Sequence, residues 1–165
     1  GVFEDVNTAY YLVHSMGGKN FREMREFEAR DRTSAQNFVN AADKTGLGRI
    51  IYLGGLGETG ETLSPHLSSR QEVGGILSSG RCAATVLRAA VIIGAGGAGF
   101  EIIRYLVERL PVMLCPKWIY TRSQPIAVEN VLDYLVGCLK TPDAADATFD
   151  IGGPEVLSYV DLMRM

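Results

Sequence analysis

The chain sets short clusters of aliphatic and aromatic residues against longer stretches in which apolar positions recur with the period of a helix. Ala9–His14 (AYYLVH) lies between polar Asp5 and Asn7 and the pair Gly17-Gly18, which predicts a buried strand. Phe21 to Thr45 predicts a long helix. Its apolar face is Phe27, Ala35, Phe38, Val39 and Ala42, its wet face is Arg22, Glu23, Glu26, Arg30, Asp31 and Arg32, and Gly46 is the stop. Arg49–Leu53 (RIIYL) predicts a strand running into Gly54-Gly55-Leu56-Gly57, and Glu58–Ser64 a loop. Ser64 followed by Pro65 is an N-cap and first helical residue for a helix over His66–Ser79. Cys82–Ala90 reads as the third strand, and Phe100–Leu110 as a helix closed by Pro111. Val112–Leu114 and Ile119–Thr121 are short extended pieces around Pro116. Val128–Leu139 follows as a helix, Ala147–Ile151 as a strand, and Ser158 caps a last helix from Tyr159.

Short apolar strands alternating with amphipathic helices predict an α/β protein with a parallel sheet covered on both faces. Gly74-Gly75 inside the second helix costs roughly 1 kcal/mol per glycine relative to alanine, so close packing of that helix is expected. Composition narrows the class. The 165 residues are 47% hydrophobic with a net charge of −3, enough for one packed domain and without the basic character of a nucleic-acid or anionic-membrane binder. No apolar run reaches the roughly 18–20 residues of a bilayer span, and the first residues lack the basic start of a signal peptide. Cys82, Cys115 and Cys138 have no metal-binding spacing and read as reduced thiols of a cytoplasmic protein.

Thr85–Leu110 contains the sharpest local motif: a branched run ending in Gly94-Ala-Gly96-Gly-Ala-Gly99 and followed by a helical pattern. The spacing matches a dinucleotide-binding GxGxxG loop. Its context argues otherwise. Two strands and two helices precede it, Pro116 breaks the next segment, and no acidic residue ends that segment to take a ribose hydroxyl. The expected role of Gly94 is therefore to give backbone room beside a ligand.

The ordered series YYLVHSMG, RIIYLGGLG, LSPHLSSRQEVG, TVLRAAVIIG, QPIAVENVLDYL and FDIGGPEVLSY resembles the short-chain dehydrogenase/reductase superfamily. The resemblance is closest to its atypical, nucleoside-diphosphate-sugar-epimerase-like and NmrA-like branch. It covers nearly the whole chain and implies a Rossmann-type doubly wound parallel sheet, incomplete at the N-terminal half. In that family a first strand, the phosphate loop and the strand that reads the adenosine ribose precede the AYYLVHS strand. On this reading residues 1–165 are the C-terminal part of one NAD(P)-binding domain, with a small substrate-side region around 111–127 and 147–165, and both ends of the chain look cut.

The resemblance implies NAD or NADP as cofactor and an unidentified small-molecule substrate. Ligands of an open parallel sheet bind beyond the carboxyl ends of its strands. This places His14, Ser15, Gly54, Gly55, Leu87, Arg88 and Ala89 along the cofactor crevice, with Gly94, Trp118 and Gln124 on the substrate side. The classical catalytic Ser falls at Gly54 or Gly55, and the Tyr and Lys fall at His66 and Arg70. Arg70 can hold a ribose but cannot tune a neighbour as Lys does, whereas His66 can transfer a proton. The expected catalytic set, His66 and Arg70, is thus degenerate. The alternatives are ordinary strand ends with solvated helix residues, and a non-catalytic structural or regulatory subunit. An unpaired Ala9–His14 edge would need cover from a partner chain or a homo-oligomer.

Overall fold

The computed structural model describes residues 3–15, 21–57, 64–94, 105 and 117–164. The expected Phe100–Leu110 helix (Tyr105 apart, which is helical), the extended piece Val112–Leu114 and the motif glycines Gly96, Gly97 and Gly99 lie outside them. The chain forms two compact units, residues 1–88 with 137–150 and residues 89–136 with 151–165.

The first unit is built on a sheet of β1 (Thr8–Tyr11), β2 (Arg49–Gly55), β3 (Ala83–Ala89) and β7 (Thr148–Ile151), in the order β1-β2-β3-β7. It is a parallel, Rossmann-like sheet with flanking helices. β1 and β2 pair in parallel from Thr8↔Arg49 to Tyr11↔Tyr52. The register starts at one atom: the Asn7 carbonyl accepts both the Gly48 and Arg49 amides, at 2.9 and 3.0 Å. β1 is shorter than expected and only partly buried. Tyr11 is buried, but Leu12 and Val13 lie beyond the strand and are exposed, so apolar composition overstated this element.

α1 (Phe21–Thr45) has the expected bounds. Gly46 at φ +72° reverses the chain, and the Leu47 amide then donates to the Ala42 carbonyl at 3.1 Å. Ala35, Val39 and Ala42 are buried as expected, with Phe38 packed against them. Asp31 departs from its expected wet position: it is buried. α2 (Pro65–Leu77) begins at the predicted cap, where Ser64 Oγ accepts from the Leu67 amide at 3.3 Å. It ends two residues before the expected Ser79. Few of its residues face the core: Val73 and Leu77 pack there with Tyr11, Ile50, Tyr52 and Val86. Gly74 meets the sheet as expected, since a Cβ there would lie 3.6 Å from the Tyr52 ring, whereas Gly75 faces open space. Phe3, Tyr11 and Tyr52 stack edge to face with their neighbours, Tyr11 lying 5.0 Å from Phe38 and 5.9 Å from Tyr52 between ring centres.

The other end of the sheet is tied by side chains. Arg49 donates to Thr85 Oγ1 through Nε and Nη2 and to the Thr141 carbonyl through Nη1, and the Thr85 hydroxyl donates to the Ala144 carbonyl at 2.6 Å. Among the described residues no buried side-chain nitrogen or oxygen lacks a partner.

The second unit contains two small ladders. β4 (Ile92–Ile93) pairs in parallel with β6 (Ile126–Ala127), and β5 (Arg122–Ser123) pairs antiparallel with β8 (Leu157–Ser158). Where an extended Ile119–Thr121 was expected, Lys117–Tyr120 is a 3-10 helix whose Ile119 is buried. α3 (Val128–Lys140) starts in this unit, and α4 (Tyr159–Arg164) closes it. Ser158 caps α4 as expected: its amide donates to Asp161 Oδ2 at 2.9 Å, and the Asp161 amide donates back to Ser158 Oγ at 3.2 Å.

Candidate functional site

Five of the expected cofactor residues, with His66, come together in the first unit. β1 delivers His14 and Ser15 just past its end, β2 delivers Gly54 and Gly55, and the first turns of α2 deliver His66 and Arg70. His66 and Arg70 share a helix face because they are four residues apart. Gly55 lies beneath this face: a Cβ there would come 3.0 Å from Leu67 Cδ2 and 3.7 Å from Arg70 Cγ. Gly54 is buried against its own strand neighbour, a Cβ there coming 2.9 Å from the Tyr52 ring. Neither position offers a side chain, so neither replaces a catalytic serine; Gly54 makes room for Tyr52 and Gly55 for Leu67. The Tyr52 hydroxyl donates to the Arg70 carbonyl at 3.2 Å, and Gln71 Nε2 donates to the Gly57 carbonyl at 3.3 Å. Together these bonds fix α2 over the end of β2.

The electrostatics of His66 follow from this packing. The residue is exposed overall. Desolvation of its ring, then the positive charge of Arg70 and of His14, lowers its pKa below the ordinary 6.5, against the pull of the Asp31 carboxylate. The imidazole is accordingly neutral at pH 7 and presents an acceptor nitrogen.

Sequence reasoning missed Asp31. Its Oδ1 accepts the Ser15 amide at 2.8 Å, and its Oδ2 accepts the Ser69 hydroxyl at 3.3 Å. The signal was present: Asp31 precedes Ala35, Val39 and Ala42 at intervals of four, four and three, on the apolar stripe.

β3 carries Leu87, Arg88 and Ala89. Leu87 and Ala89 are buried in the sheet and can offer only backbone at its edge. Arg88 is held by a two-pronged ion pair with Asp150 of β7, at 2.6 and 2.9 Å. In the second unit the expected substrate residues have structural engagements. Gln124 Nε2 donates to the Gly153 carbonyl at 2.6 Å. Gly94 makes room for Val128, whose Cβ would lie 2.9 Å from an added methyl. The Trp118 backbone belongs to the 3-10 helix, and its side chain lies outside the described residues. Among the described residues no His, Cys, Asp and Glu side chains group as a metal site, and no helix is long and apolar enough to cross a membrane.

No family model and no curated protein matches the sequence. Solved structures do match the fold. The NAD-dependent NDP-hexosamine 5,6-dehydratase TunA, of tunicamycin biosynthesis, superposes with a TM-score of 0.78 at 15% identity, covering 99% of this chain and 60% of that one. MoeE5 in complex with UDP-glucose and NAD gives 0.79 at 16% identity, with coverage of 97% and 61%. UDP-glucuronic acid 4-epimerase from Bacillus cereus, in complex with NAD, gives 0.77 at 15%, with 98% and 58%. The chain spans about three-fifths of the length of the structures it matches. The chain shares the Rossmann-like fold of these NAD-dependent or NAD-bound structures.

Proposed function

We propose that the chain is part of an NAD(P)-binding, short-chain-dehydrogenase-like protein, an oxidoreductase or sugar-nucleotide epimerase-like enzyme with a degenerate catalytic set. By the family resemblance it supplies the C-terminal part of the Rossmann domain, and residues 111–127 and 147–165 supply the substrate side. The observation that carries the reading is the meeting of His14, Ser15, Gly55, His66 and Arg70 past the carboxyl ends of β1 and β2, where an open parallel sheet takes its ligand.

A bound NAD or NADP would supply hydride transfer. Around it, Arg70 donates to ribose hydroxyls from its fixed fork of N–H groups. His14 and Ser15 line the adenosine side, and Leu87, Arg88 and Ala89 the nicotinamide side, with Arg88 oriented by Asp150. His66 stands where the family has its tyrosine and, being neutral at pH 7, receives or returns a proton at its imidazole nitrogen. Gly94, Trp118 and Gln124 are assigned to the substrate. A cytoplasmic setting fits Cys82 and Cys138, which are buried free thiols. Among the described strands β1 lies at a sheet edge, and a strand from elsewhere in the protein or from a partner chain would cover it.

Titrating the intact protein with NADH and with NADPH, followed by dinucleotide fluorescence, tests this reading; absence of saturable binding to either one sinks it. The second reading, a non-catalytic subunit that keeps the fold, is favoured by the loss of the Tyr and Lys pair at His66 and Arg70. It expects dinucleotide binding without turnover of any UDP-sugar. Loss of turnover in His66→Ala but not in Arg70→Lys would assign the chemistry to His66.

A further inference from the structure

Asp31 is a buried carboxylate, 8% exposed, on a helix that contributes no residue to the set described above. Its two oxygens are divided between two elements. Oδ1 takes the amide of Ser15, adjacent to His14 in the segment leaving β1. Oδ2 takes the hydroxyl of Ser69, adjacent to Arg70 and three residues beyond His66 on α2. A charged acceptor strengthens both bonds, and burial makes each costly to leave unmade. Arg32, the next residue of α1, also reaches α2, donating to Glu72 at 2.6 and 3.0 Å. That pair is exposed and contributes little. The internal bridge through Asp31 is the one placed to set the spacing of the site.

We propose that Asp31 is the positioning residue of the nucleotide-side wall: its carboxylate holds the His14–Ser15 segment and the His66–Arg70 face of α2 at a fixed separation. The inference rests on the functional reading above for what the wall binds, but not for the bridge itself. Among the described residues, the charged groups that act on His66 are Arg70 on its own helix, His14 after β1 and Asp31 on α1. Asp31 is the one anion among them, and it raises the proton affinity of the His66 ring against the larger lowering by desolvation, Arg70 and His14.

The test compares Asp31→Asn and Asp31→Ala with the parent full chain, with thermal melts to confirm folding. The chain has two histidines, so ring resonances followed by NMR against pH are assignable with a His14→Gln variant. Loss of the anion is expected to lower the His66 midpoint in both variants. NADH affinity is expected to fall about tenfold in Asp31→Ala, a size typical of removing a group that orients binding residues. In Asp31→Asn the amide oxygen still accepts the Ser15 amide, and binding is expected to stay within about threefold of the parent. A His66 midpoint unmoved in both folded variants overturns the proposal, as does unchanged NADH affinity in folded Asp31→Ala. If the parent binds neither dinucleotide, the functional reading fails and the His66 titration still decides the role of Asp31. Should Asp31→Ala not fold, the Asp31→Asn titration and a Ser69→Ala variant, expected to weaken NADH binding by about threefold, decide in its place.

Discussion

The two units differ in how they hold the side chains expected at the site. In the first unit, Asp31 and Tyr52 direct their hydrogen bonds to backbone or to a hydroxyl behind the site, at Ser15, Ser69 and the Arg70 carbonyl. The imidazole of His66 stays on the surface, with its proton affinity lowered by its surroundings. In the second unit, Gln124 closes onto the Gly153 carbonyl, and the Gly153 amide donates to the Pro125 carbonyl at 2.9 Å. Gly152 and Gly153 are packed against these same residues. A reactive residue type in a promising loop is therefore not enough to mark a binding residue. What separates Gln124 from a binding residue is that its amide already donates to the chain's own backbone.

The largest expected effect tests the closed region. A Cβ at Gly153 would strike the Pro125 carbonyl oxygen, which is backbone and cannot turn away. Gly153→Ala is expected to destabilise by about 3 kcal/mol, read by chemical denaturation. An unchanged midpoint would show that this loop is free to move and would dissolve the contrast. Next is Gln124→Ala, expected to cost about 1 kcal/mol for the lost bond to Gly153. If stability is unchanged while substrate binding is lost, Gln124 belongs to the ligand after all.

The smallest effect belongs to the open region. His66 has its folded pKa depressed, chiefly by desolvation, so the folded protein holds fewer protons there than the unfolded chain. Its contribution to stability is whole above the unfolded value near 6.5 and is lost as pH falls through the lower folded value. Melting temperature should therefore drop less between pH 7.5 and 5.5 in His66→Gln than in the parent. Equal drops in the two proteins would mean that the ring is solvated like a free imidazole.

Much of the fold was legible because its signals are local. The bounds of α1, the Ser64-Pro65 start of α2, the Gly46 stop and the Ser158 cap each depend on residues within a turn of one another. The short strands β4, β5, β6 and β8 were not legible, since two residues carry no period and owe their pairing to distant segments. Leu12 and Val13 were read as strand from composition, yet β1 ends at Tyr11.

The same division runs through the site. The sequence by itself determined that His14, Gly55, His66 and Arg70 would stand at strand ends and on the first two turns of a helix, because an alternating β and α order puts those positions on one edge of a parallel sheet. Only the tertiary structure decided which polar groups were already engaged: Asp31 within the first unit, Gln124 within the second, and Arg88 by Asp150 across the sheet. Hydrogen-bond partners 16 to 62 residues apart in the chain leave no periodic trace, and their pairing is fixed only when packing excludes water and makes an unpartnered group costly.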